Sequence, residues 1–103
     1  MMEQGRKAVR LIISGRVQGV WFRGWTVDRA HELGLDGWVR NRADGTVEAL
    51  VVGPEEQVNQ MIDLCREGPK LALVDDIEIH PAMGITPKGF VQKPTVDVEA
   101  RRN

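Results

Sequence analysis

Two helix-like stretches flank a short hairpin, and each is entered from a strand-like segment; few folds accept that order. The hairpin turns at Ala43-Asp44-Gly45, because Asp-Gly is a strong turn signal between two strands, here Gly37–Arg42 and Thr46–Val52. Before it, Phe22, Trp25, Thr26, Ala30 and Leu33 recur at three- and four-residue spacings. That is one stripe of an amphipathic helix, with Gly34 where a left-handed C-cap belongs. After the hairpin, Gly53-Pro54-Glu55-Glu56 predicts a second helix with proline at its first position and acids in its first turn. Its stripe is Val58, Met61, Ile62 and Cys65, and Gly68-Pro69 stops it.

The outer segments complete the pattern. Residues 8–14 are short, apolar and β-branched, which predicts a central strand, and Leu73–Ile79 predicts a fourth. Pro81, Gly84, Pro87 and Gly89 mark a loose connection to a short edge strand within Phe90–Val96, interrupted by Pro94. The order β-α-β-β-α-β predicts an α+β, ferredoxin-like sandwich. Two helices then lie on one face of a four- to five-stranded, mostly antiparallel sheet. Residues 1–96 are expected to form the domain and 97–103 a charged, fraying tail. That fold hosts many functions, so chemistry has to be sought in particular residues.

At 103 residues the chain suits one core. Cys65 is its one cysteine, which rules out an internal disulfide and suits a reducing compartment. No stretch has the length of a membrane-spanning helix and the start lacks a signal-peptide pattern, so a cytoplasmic setting is expected. No long apolar patch asks for a partner, and a monomer is expected. Charge is unevenly placed: residues 1–42 hold eight Lys/Arg against four Asp/Glu, whereas residues 43–103 hold six against eleven. Scattered surface charge accounts for this, as does a positive segment that gathers anions. A nucleic-acid surface would need a more basic domain than a net charge of −1 provides.

The positive segment contains Gly15-Arg16-Val17-Gln18-Gly19-Val20-Trp21-Phe22-Arg23, between the first strand and the first helix. Glycines alone make a tight turn. They also let successive backbone N–H groups face one point, and a helix N-terminus adds unpaired donors and a positive dipole end. Arg23 is out of place for stability alone, since a cation at a helix N-terminus opposes the dipole. An anion between the two resolves the conflict. The triplet Gly-Lys-Ser/Thr of the Walker loop is missing, which argues against that kind of nucleotide hydrolysis.

Asn41, near the end of the second strand, alternates onto the face of Val39 and away from Trp38 and Arg40. A lone asparagine near a turn is usually a local hydrogen-bonding residue, and its uncharged amide can also hold a water through donor and acceptor together. His31 falls off the helical stripe and is expected in solvent. His80 has no carboxylate or cysteine at a recognisable spacing, and Asp75 and Asp76 point to opposite strand faces. No His, Cys, Asp or Glu cluster has metal-ligand spacing. Lys88-Gly89-Phe90-Val91 lacks the further aromatics of an RNA-binding strand.

Together these stretches resemble the acylphosphatase family, from about Val9 to Phe90. The resemblance is carried by Gly15-x-Val17-Gln18-Gly19-Val20-x-Phe22-Arg23, then Ala30-x-x-Leu33-Gly34-Leu35-x-Gly37-Trp38-Val39-x-Asn41, Asp44-Gly45-x-Val47-Glu48, Gly53 and Gly68-Pro69. It implies the ferredoxin-like fold and hydrolysis of acyl phosphates to a carboxylate and inorganic phosphate, without metal or cofactor. Arg23 is then the phosphate-binding arginine and Asn41 orients the attacking water. The backbone amides of Arg16, Val17, Gln18, Gly19, Val20, Trp21 and Phe22 cradle the phosphoryl oxygens. Phosphate is the expected product and inhibitor, and neither nucleic acid nor membrane is an expected partner. Arg42, where relatives often carry a small hydroxyl residue, Gly24 and the tail beyond Val96 depart from the family pattern. The same cradle on its own also suits a phosphate-sensing or partner domain, or the carbamoyl-phosphate-handling domain that opens hydrogenase-maturation proteins.

Overall fold

A computed structural model describes residues 5–83 and 86–96. The chain runs β1 (Arg6–Arg16), α1 (Phe22–Leu33), β2 (Asp36–Asn41), β3 (Val47–Pro54), α2 (Glu55–Glu67), β4 (Leu73–Pro81) and β5 (Phe90–Gln92). The strands form one sheet in the order β4-β1-β3-β2-β5. Every pairing is antiparallel except β2 with β5. This is the ferredoxin-like α+β sandwich, and the charged tail expected over 97–103 lies outside the described residues.

Alternation along the strands divides the sheet into two faces. Val9, Leu11 and Ile13 of β1, Val39 of β2 and Val47, Ala49 and Val51 of β3 are buried in one core. Phe22, Trp25 and Ala30 of α1 and Val58, Met61, Ile62 and Cys65 of α2 join them there. Burying such side chains fully is worth roughly 1.5–3 kcal/mol each for the larger ones. The opposite face carries charge: Glu48, only 6 % exposed, accepts hydrogen bonds from Arg10 Nη1 at 3.1 Å and Arg40 Nε at 2.9 Å. The Arg40 guanidinium carbon also lies 4.5 Å from the Trp38 ring centre, a cation–π contact.

Several boundaries differ from the sequence expectation. β1 is interior, but the middle strand is β3, because β5 extends the sheet beyond β2. Pro54 ends β3 and caps α2 at φ −60°, ψ 141°, so the helix starts one residue later than expected, at Glu55. Gly34 does close α1 in the left-handed region, at φ 71°. β5 is shorter than Phe90–Val96, yet the chain past it still follows β2: Lys93 N–H donates to Val39 O (2.8 Å) and Val96 N–H to Asn41 O (3.1 Å). Pro94 has no N–H to give and falls between these two bonds. His80 does meet a carboxylate, Glu78 Oε1 at 3.2 Å, because residues two apart share a strand face. The exposed His31 has its Nε2 3.0 Å from Phe90 O, which ties the end of α1 to β5.

Candidate active site

β1 departs from its register with β4 between Ser14 and Gly15. Gly15 has φ 124°, and a Cβ there would stand 2.7 Å from Asp75 N; the bulge admits no side chain. Gly19 has φ 76° with open space around it, so the backbone conformation itself calls for glycine. Within this loop Val17 and Phe22 are buried and Val20 packs against the core. Phe22 meets Trp25 edge-on at 5.4 Å and closes against Gly68 beyond the end of α2. Apolar anchors thus fix the loop from below.

Gln18 fixes it from the side. Its Nε2 donates to Arg42 O at 2.8 Å and to Thr46 O at 2.9 Å, joining the loop to the β2–β3 hairpin. The hairpin is itself tied: Thr46 donates to Asp44 Oδ1 through Oγ1 at 2.6 Å and its N–H at 3.0 Å. The Thr46 hydroxyl, and then its N–H, hold the Asp44 carboxyl below the usual carboxylate range. Asn41 is the last residue of β2, opposite Val47 of β3. Arg42 leans back to Asp44 (Nη2–Oδ2 3.4 Å), so its charge serves the turn.

α1 begins without a cap. Trp21 precedes it at φ 68°, ψ 25°, the one non-glycine residue at positive φ among those described. No side chain bonds the first N–H groups and the first turn holds no acid. Arg6, Arg10, Arg29, Arg40 and Arg42 each lie within reach of a carboxylate, whereas Arg16 and Arg23 pair with none among the described residues. Of these two only Arg23 lines the cavity beside Asn41. Much of the positive charge of residues 1–42 is therefore answered locally, and that of Arg23 is not. Gly24 also gains a reason: a Cβ there would sit 2.8 Å from Trp21 Cδ1 and Cε2, inside the indole.

Arg23 and Asn41 line one cavity of about 120 Å³, with Val17, Gly19, Trp21, Phe22, Gly24 and Gln92. This is small beside the roughly 300–1,000 Å³ of pockets for larger ligands, and suits a phosphoryl-sized group with a water. Of the sequence candidates, Arg16, Gln18 and Val20 do not line it. Arg16 is at the exposed end of β1, Gln18 turns to the hairpin and Val20 to the core. Gln92 was not foreseen. It reaches the site through the parallel pairing of β5 with β2, Val39 against Gln92, and a three-residue strand carries no periodicity that could announce it.

The lining contains no histidine, carboxylate or thiol. Cys65 is buried in the core, where burial pushes its thiol up to about 12. Among the described residues no three His, Cys, Asp or Glu side chains gather so as to hold a metal ion. No helix among them is long and apolar enough to cross a membrane.

The acylphosphatase family model matches residues 9–92. An acylphosphatase of Rhizorhabdus wittichii is 56 % identical over 91 residues, covering 88 % of this chain and 92 % of its own. One from Rhodospirillum rubrum is 57 % identical over 90 residues, with 87 % and 99 % covered. The structure of an acylphosphatase from Coxiella burnetii superposes with a TM-score of 0.84 at 28 % identity, covering 90 % of this chain and all of that one. The chain belongs to the acylphosphatase family.

Proposed function

We propose that this chain breaks the carboxyl–phosphate bond of acyl phosphates at the cavity between the loop and β2, with Arg23 binding the phosphoryl group and Asn41 positioning the water. Family membership makes the chain a hydrolase acting on acyl phosphates. One observation supports the finer assignment most: the unpaired Arg23, the uncapped start of α1 and Asn41 meet at a single small cavity.

The chemistry asks for little more. The water oxygen bonds to phosphorus while the P–O bond to the acyl group breaks and its electron pair leaves with the carboxylate. A carboxylate is a good leaving group, so no general acid is needed. A loose phosphoryl-transfer transition state calls for alignment and for stabilisation of charge on the equatorial oxygens. Arg23, the loop amides and the N-terminus of α1 supply the charge, already oriented. The Asn41 amide accepts from and donates to the water, and a phosphoryl oxygen of the substrate takes its proton. The reading is completed by a metal-free reaction, a monomeric cytoplasmic enzyme and product inhibition by phosphate, with residues 1–96 as the working domain.

Release of phosphate from benzoyl phosphate tests it. Arg23→Ala should lose about 10²–10³-fold in turnover, the effect of removing one preorganised electrostatic stabiliser, and should lose phosphate inhibition. Asn41→Ala should be as slow yet still inhibited by phosphate. The opposite pattern would reverse the two roles. Chelators should leave the rate untouched, and the rate should stay nearly flat from roughly pH 5 to 7 once substrate ionisation is accounted for. A bell in that window would reveal a titrating acid or base.

A further inference from the structure

We infer that the Trp21 indole is the platform on which the acyl group rests, and that it biases the site toward acyl phosphates with an aromatic tail over acetyl-sized ones. The inference rests on the reading of this cavity as the acyl-phosphate site.

Trp21 is 63 % exposed although it lines the cavity that holds Arg23 and Asn41. The other two tryptophans are used up by the fold. Trp25 is buried in the core at 9 % exposure, and Trp38 lies between Arg40 and Lys93 at 4.5 and 5.0 Å. Trp21 alone keeps a large apolar surface in water at the mouth of a polar cavity.

Its backbone makes this less easily explained by the turn. At φ 68° glycine or asparagine would serve best, and a bulky residue there is uncommon. Gly24 points the same way. Its missing side chain leaves the space that the indole fills across the first turn of α1, at a cost in helix propensity relative to alanine. Two residues that each depart from the best local choice together place one indole beside the start of the helix.

An acyl phosphate has a dianionic head and an acyl tail. A cavity of about 120 Å³ takes the head and its water, so the tail must leave over the rim. Trp21 and Gln92 both line that cavity, and the indole is the large aromatic surface there that is left exposed. A benzoyl ring can stack offset on indole, whereas an acetyl methyl covers little of it.

The probes are methylphosphonate and benzylphosphonate, which share the head and differ in the tail, measured by calorimetry beside kcat/KM for acetyl and benzoyl phosphate. The wild type should bind benzylphosphonate about tenfold more tightly. Trp21→Asn keeps a residue that tolerates the left-handed turn and should bring that ratio close to one, while Trp21→Phe should keep most of it. The kcat/KM ratio should follow, carried mainly by KM, as expected for a contact made equally in ground and transition states. Gly24→Ala pushes the indole aside without deleting it and should lower the same ratio. A ratio unmoved by Trp21→Asn and Gly24→Ala overturns the platform, as does an equal loss for both tails, which would give Trp21 a part in loop shape only. If Arg23→Ala binds methylphosphonate as well as the wild type does, it is the site itself that has been misplaced, whatever the tails do.

Discussion

The two helices start in opposite ways. α2 leaves β3 directly at Pro54, with Glu55 and Glu56 in its first turn and Arg66 in its last. Its own side chains answer the positive and negative ends of its dipole. Neither helix has a side-chain cap, but α1 starts at a left-handed tryptophan, with no acid in its first turn and Arg23 one residue inside. There the charges add where α2 makes them cancel. In one small fold the same physical rule is followed where a helix only supports the sheet and suspended at the cavity where we propose that an anion is held. A helix end without its own counter-charge is thus a pointer to a ligand only beside a helix that shows what the fold does otherwise.

Giving α1 the start of α2 is the strongest way to break this contrast. Arg23→Glu should lower kcat/KM by more than about 10³-fold, since it removes a stabiliser worth about 10²–10³-fold and adds a charge that repels the dianion. Phosphate should no longer inhibit. The melting temperature should hold or rise slightly, because an acid near a helix N-terminus contributes about 0.3–1 kcal/mol. An inactive protein that is also less stable would mean that Arg23 supports the fold, and the contrast between the two helix starts would shrink.

Next in size is Gln18→Leu, which cuts the loop of α1 free from the hairpin. Misplacement of reacting groups by about 1 Å costs up to about 10²-fold, so turnover should fall by roughly 10- to 100-fold. The Arg42 and Thr46 carbonyls keep other donors, Gly45 N–H and Arg42 N–H, so stability should fall by only about 1 kcal/mol per bond lost. Because Arg23 is anchored through α1 and Asn41 through β2, kcat should suffer more than phosphate affinity. Loss of phosphate affinity alone would place the role of Gln18 in the cradle.

Much of this was legible in the sequence, for identifiable reasons. Helical stripes such as Val58, Met61, Ile62 and Cys65 have a period, and all four are buried. Asp44-Gly45 marks its own turn, and Arg23 was conspicuous as a cation at the wrong end of a helix. What was illegible depends on contacts between distant segments. Gln92 reaches the cavity only through strand pairing. The expected cradle concerned the backbone of Gln18, and nothing in the sequence announced that its side-chain amide ties the loop to two hairpin carbonyls. Gly24 stands out in the sequence only as a departure from the family pattern, and the Trp21 indole that takes the place of its side chain is a contact only the fold shows.

On the α2 side the expected effects are in stability, with no role in turnover. Burial raises the Cys65 thiol to about 12 because the folded state disfavours the thiolate. Below about pH 9 the thiol is neutral in both states and its contribution is fully present; as pH rises toward 12 the unfolded chain loses its proton first and that contribution drains away. The slope for one proton is about 1.4 kcal/mol per pH unit. Between pH 8 and 10.5 the wild type should lose about 1–2 kcal/mol more than Cys65→Ala by urea titration. Equal losses would mean that the thiol is reached by water.

The smallest effect sharpens the contrast most directly. Glu55→Gln with Glu56→Gln leaves α2 as short of acids at its start as α1 is, without placing a cation there. Each carboxylate near an N-terminus is worth about 0.3–1 kcal/mol at low ionic strength. Both are exposed, so salt should screen the loss, with a Debye length of about 10 Å at 0.1 M. The double variant should therefore unfold at lower urea in dilute buffer and match the wild type in high salt, while its kcat/KM and phosphate inhibition stay at wild-type values. A salt-dependent loss shows that the dipole of α2 is answered by its own acids, so that the unanswered end of α1 is a real difference between the helices. No loss at low salt would reduce those acids to solvated surface charge, and the case for the anion site would then rest on Arg23, Asn41 and their shared cavity alone.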